Sequence, residues 1–261
     1  MFKPKLPQQN QGFTLVEVLV AIIITTLFIA VAMQGMVIAA LLKARAQQYT
    51  AATNWIQQDL ETVKNQAAQF SSLTQKANAN DTSLNVSSVN GFADGDVLKV
   101  GTDTGSYTIV NNGIDKINLT LKLAGTALVS AQSKGNLVVD TKWCAASATS
   151  GGFANYFYQI MPTIVDTTQS IIIGGIAYNP LANTNTNPNP RIFGNNSNPN
   201  SPTSGGIKLW LLRNAADSAN APYNVLQLNY AVVPDVNGAP GTFPVATLYT
   251  EVIPNAALQC P

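Results

Sequence analysis

From Val18 to Leu42 the chain runs for 25 residues without a charge, and between Phe13 and Leu42 only Glu17 is ionised. About 20 apolar residues carry a helix across the hydrocarbon core of a bilayer. Thr14, Thr25, Thr26 and Gln34 do not interrupt that reading, because hydroxyls and amides bond within a helix or to neighbouring helices. The pattern therefore predicts a membrane-spanning helix over residues 13–42. Beyond it, apolar positions recur at steps of three and four: Tyr49, Ala52, Ile56, Leu60, Val63, Ala67 and Phe70. That is the period of one helix face. Gln47, Gln57, Gln58, Asp59, Glu61, Lys64 and Gln66 lie between them, and neither Pro nor Gly occurs between Met36 and Phe70. Residues 43–76 thus read as an amphipathic continuation. As one helix, Phe13 to Phe70 would extend about 85 Å. Its second half needs an apolar partner, and a sheet is the natural one.

Past Phe70 the period shortens. Leu84–Val89, Val97–Val100, Tyr107–Val110, Ile117–Leu123 and Leu137–Val139 are short β-prone runs, parted by Gly91, Asp94-Gly95, Gly101, Gly105, Asn112-Gly113 and Gly125. Such strands and turns predict a small accessory β-module at 80–140, one whose removal should leave the rest able to fold. A second block, Tyr156–Met161, Ser170–Tyr178, Ile207–Arg213, Tyr223–Val233 and Val245–Ile253, predicts an antiparallel sheet within residues 141–261. Between its strands, residues 183–206 are rich in Asn, Pro, Ser and Gly and are expected to form a mobile loop. The fold class is α+β: a long N-terminal helix, membrane-spanning in its first half, packed on a C-terminal antiparallel sheet.

Composition narrows the function. Charged residues make up 10% of the chain and the formal charge is +1, against about 25% charged in typical soluble domains. No basic stripe points to nucleic acid. Histidine is absent, which removes the commonest general base and metal-binding side chain. With no nucleophile motif either, no catalytic activity, cofactor or metal is expected. Asp94, Asp96 and Asp103 place oxygens close together, as calcium loops do. Their spacing lacks a full ligand set, and Asp-Gly is a common hairpin turn. Trp143 reads as core packing. Cys144 and Cys260 are the two cysteines; in an exported domain they read as one disulfide, in the cytosol as free thiols.

Glu17 is the outlier, because an ionised side chain deep in a bilayer costs several kcal/mol. A secretory signal has an apolar stretch of about 7–15 residues and a small-residue cleavage site, which this run far exceeds. A short basic leader holding Lys3 and Lys5, then Gly12-Phe13-Thr14-Leu15-Val16-Glu17, then an unbroken apolar helix, resembles the type IV prepilin pattern. That resemblance implies a leader, residues 1–12, cut after Gly12 by prepilin peptidase, and methylation of the new N-terminal amine on Phe13. It implies residence in the inner membrane as a single-pass protein in the lipid bilayer. Transfer by the inner-membrane assembly machinery, with other pilin subunits, into a surface filament would follow. Glu17 would then set register by pairing with the Phe13 amine of a neighbouring subunit. Pilins often close their C-terminal region with a disulfide, which implies a Cys144–Cys260 bond. Many major pilins carry a proline where this chain has Gln34, beside Gly35. A subunit of this size points to a minor pilin for adhesion or motility. A type II secretion pseudopilin, or an exported binding protein outside any filament, is the alternative.

Overall fold

The computed structural model describes residues 14–125, 127–144, 152–161, 170–181, 191–193, 207–217 and 224–259. The chain divides into two units, Met1–Gln48 and Tyr49–Pro261.

Helix α1, Leu15–Gln69, is continuous. Thr14 starts it: its hydroxyl accepts the Glu17 N–H at 3.3 Å, and its carbonyl accepts the N–H groups of Glu17 and Val18. A Thr three residues before a Glu is the spacing of a capping box. The helix passes Gln34 and Gly35 unbroken. It ends at Gln69, short of the expected residue 76, because serines compete for its last carbonyls. Ser72 donates its hydroxyl to Gln69 O at 2.7 Å, Ser87 donates to the same oxygen, and Ser71 turns into the left-handed region at φ 57° while donating to Val138 O. The chain then runs as isolated bridges, Ser72 with Leu137, Leu73 with Val86 and Ala77 with Gln132.

In the first unit, every large apolar side chain from Leu15 to Leu42 is exposed. In the second, Ala52, Ile56, Leu60, Val63 and Ala67 of α1 are buried, as the helical period requires. Tyr49 is not; it stays 57% exposed, and Trp55 is buried instead.

Among the described residues, strands β1 (Ser83–Asn85), β2 (Val97–Val100), β3 (Tyr107–Asp115), β4 (Thr120–Leu123) and β5 (Val138–Asp140) form an antiparallel sheet in the order β1-β4-β3-β2-β5. It coincides with the expected 80–140 segment. Its inward residues Leu84, Leu98, Val100, Tyr107, Ile109 and Leu121 belong to the same hydrophobic cluster as Ile56, Val63 and Phe70 of the helical region and Leu211 and Leu228 of the second sheet. That packing argues against a removable module: without it, this side of the core would be open to water. The expected strand over Ile117–Leu123 is shorter. Asp115 Oδ1 accepts the N–H groups of Ile117 and Asn118, at 2.9 and 3.0 Å, and Leu119 takes a positive φ, so a turn occupies its first half.

After β5 come α2 (Thr141–Cys144) and α3 (Phe153–Ile160). The latter overturns the strand expected over Tyr156–Met161. Phe153, Ala154 and Phe157 are buried, with Tyr156 and Ile160 partly so, the three-and-four spacing of a helix face. An aromatic run this short does not separate strand from buried helix by period alone. The expected Ser170–Tyr178 strand is a hairpin, β6 (Ile171–Ile173) and β7 (Ile176–Pro180). Gly174 and Gly175 at φ 59° and 85° supply the two left-handed residues that a type I′ turn demands.

The second sheet is built on β9 (Ile207–Asp217) and β10 (Leu226–Val236), paired antiparallel with Tyr230 opposite Arg213. β12 (Ala246–Val252) and β11 (Ala239–Pro240) pair with β10, and β7 and β8 (Arg191–Phe193) with β9. Leu209 and Leu211 face the main cluster, while Trp210 and Leu212 join a second one with Tyr178, Ala231 and Val233. Both faces of β9 are thus covered, and its apolar run is continuous where a half-exposed strand would alternate. Of the expected loop 183–206, β8 is ordered into the sheet; the remainder lies outside the described residues.

Candidate functional site

The first unit carries the chemistry of the N-terminal segment. Glu17 stands in the first turn of α1, where the helix dipole favours a negative charge by about 0.3–1 kcal/mol. A shallow groove beside it is lined by Val18, Ala21, Ile22, Thr25 and Thr26. The two threonines bury their hydroxyls in the helix's own hydrogen bonds: Thr25 donates to Ala21 O at 2.7 Å and Thr26 to Ile23 O at 2.9 Å. They therefore do not oppose an apolar surrounding. The mean hydropathy of the most apolar stretch is 2.8, and none of it is buried within the protein. The helix is long and apolar enough to cross a membrane. Gly12 and Phe13 lie outside the described residues.

A family model for the prokaryotic N-terminal methylation motif matches residues 7–33. The chain carries a type IV pilin-like prepilin signature. The α+β layout of a long N-terminal helix followed by antiparallel sheets fits a pilin-like architecture. The same signature implies processing by prepilin peptidase, association with other pilins and an inner-membrane anchor. No curated protein and no solved structure matches the chain.

The other candidates resolve into structural roles. Asp94 accepts the N–H of Asn112 at 2.8 Å and of Gly113 at 3.3 Å; Asp96 accepts that of Ala93 at 2.6 Å; Asp103 accepts those of Gly105 and Ser130, both at 2.9 Å. Each carboxylate accepts backbone N–H groups, Asp96 also pairing with Lys142; burial pushes the Asp103 pKa up, but its backbone and side-chain hydrogen bonds outweigh that and hold it below the ordinary value. No cluster of three metal-ligating side chains occurs among the described residues. Trp143 is 1% exposed and packs on Phe70, Phe92, Phe153 and Tyr156.

Cys144 ends α2 half-buried, and no free cysteine is found among the described residues. Cys260 lies outside them, so its bond to Cys144 is a proposal. The final 3-10 turn, Asn255–Gln259, packs against β5, with Ala256 and Ala257 buried. Asn255 reaches Ala68 O at 3.5 Å. The turn that precedes Cys260 thus packs on the strand that leads into α2 and Cys144, which supports the pairing. Peptide mapping without reductant should find the two cysteine peptides joined, and reduction should lower stability by about 2–4 kcal/mol. Two free thiols in exported protein would refute the bond.

Sequence reasoning missed two charge clusters. Asp59 of α1 accepts from Arg213 Nη1 at 2.9 Å and from the Tyr230 hydroxyl at 2.7 Å, with Arg213 fully buried. Burial first, and then the Asp59 charge, push the Tyr230 hydroxyl pKa well up. The signal was present as a cation, Arg213, directly after the apolar run Leu209-Trp210-Leu211-Leu212. Asp140, 1% exposed, lies 3.0 Å from the Lys142 ammonium, which also pairs with Asp96. Burial raises the Asp140 pKa to about 6, with Lys142 opposing and Asp96 adding to the rise. The folded state thus holds a proton that the unfolded chain, near 3.8, has released. Asp140 should therefore add stability as pH falls from above 6 toward 4. Asp140→Asn, which can still cap α2, should flatten that rise in denaturation midpoints measured across the window. An unchanged slope would contradict the assignment.

Proposed function

We propose that this protein is a minor subunit of a bacterial type IV pilus. It waits in the inner membrane as a single-pass protein, is cut after Gly12 and methylated on Phe13, and joins other pilins in a filament displayed at the cell surface. The observation that carries the proposal is the methylation motif at residues 7–33 on a helix whose large apolar side chains from Leu15 to Leu42 are all exposed. So large an apolar surface is not tolerable in water; lipid before assembly and neighbouring helices after it would each cover it. The mature chain of about 249 residues, with a first sheet built into its core, supports a minor pilin over a compact major one. Surface interaction or motility, without catalysis, is the role we assign. Immunogold labelling of sheared filaments tests it. Label along pili is the expected result; label confined to membranes, or to the assemblies of a secretion system, would overturn the pilus assignment.

A further inference from the structure

We propose that Lys43 and Arg45 form a collar that binds anionic phospholipid headgroups, on the leaflet opposite Glu17. It rests on the membrane reading above and adds a partner to it. Both side chains are exposed, and neither takes part in an ion pair among the described residues. From Val18 to Gln58 the sequence holds no Asp or Glu, so no carboxylate of the helix lies within a turn of either cation. The next acid, Asp59, is committed to Arg213.

Length makes the placement specific. Lys43 stands about 39 Å beyond Glu17 along the helix, at 1.5 Å per residue. A bilayer with its headgroup regions is about 40–45 Å thick. With Glu17 at one headgroup layer, Lys43 and Arg45 arrive at the other, directly after Leu41 and Leu42. Long cationic side chains extend from that depth into the headgroups while their stems stay on apolar surface. The lysine supplies a point charge and the arginine a planar fork that matches phosphate oxygens. The collar therefore fixes how deeply the subunit sits, and extraction into a filament must break it.

The test uses the full chain in nanodiscs of phosphatidylcholine alone, or of equal parts phosphatidylcholine and phosphatidylglycerol. Native mass spectrometry then counts the lipids that stay bound. The wild-type protein should retain phosphatidylglycerol preferentially. Lys43→Gln and Arg45→Gln, which keep a good helix former, should each lower that preference by about fivefold. Lys64→Gln, whose lysine pairs with Glu61 at 3.5 Å in the folded unit, should leave it unchanged. Equal retention of both lipids by the wild type, or a preference undiminished in the double glutamine variant, would overturn the collar while leaving the membrane reading intact. Failure to enter either nanodisc would overturn both.

Discussion

Replacing Arg213 with methionine should destabilise the folded domain by about 3–5 kcal/mol, the usual cost of breaking a buried ion pair from one side. Arg213 is 0% exposed and Asp59 is half-buried, its side chain 17% exposed, with the two 2.9 Å apart. The pair joins α1 to β9, and the Tyr230 hydroxyl closes the network from β10 at 2.7 Å. Removing the guanidinium leaves the half-buried Asp59 carboxylate without its counter-charge, with the Tyr230 hydroxyl as its neutral donor. Combining Asp59→Leu with Arg213→Met should recover most of the loss, since an apolar replacement of both partners is often neutral or stabilising. Trp55, Trp143 and Trp210 are all buried in this unit, so urea unfolding followed by tryptophan fluorescence reads both variants. A loss under about 1 kcal/mol for the single variant would mean that the pair contributes no more than a surface contact.

Glu17→Gln should be cleaved and inserted like the wild type, yet be depleted from sheared filaments by more than about tenfold. The substitution separates two roles that alanine would confuse. Glu17 stands three residues after Thr14, whose hydroxyl takes its N–H, and glutamine serves equally well there in a capping box. Glutamine does not pair with an amine as a counter-charge. If the leader is cut as proposed, the Phe13 amine would be a cation four residues before Glu17 in the sequence. In an apolar filament core, the amine of one subunit and the carboxylate of the next would neutralise each other. A misregistered subunit would leave a buried charge at about 3–5 kcal/mol, and each 1.4 kcal/mol is tenfold in an equilibrium. Incorporation of Glu17→Gln at the wild-type level would leave the carboxylate without the role in register.

The long helix was legible in the sequence because a charge-free run and a three-and-four period leave little else for the chain to do. So were the strands β2, β9, β10 and β12, which are long or clearly bounded by turns. α3 was not, because eight residues of mixed aromatic and apolar character hold too few turns for a helical period to show. The β6–β7 hairpin was hidden because Gly174 and Gly175 interrupt an isoleucine-rich run without any polar residue between its arms. The charge network was hidden for a different reason: Asp59 and Arg213 are 154 positions apart. On the helix alone, Asp59 looks like one more polar residue beside Gln58. Only the fold brings Asp59 of α1 against Arg213 of β9 and makes it the partner of a buried cation. In the candidate site, the spacing of Thr14 and Glu17 was readable from the chain. The partner of Glu17 was not, because it would belong to another subunit.

Mass spectrometry of the protein recovered from sheared filaments tests the central claim most directly. The account predicts a chain that lacks residues 1–12, begins at Phe13 and carries one added methyl group on its N-terminal amine. A filament-associated chain that begins elsewhere, or an unmethylated full-length chain found only in membranes, would contradict it.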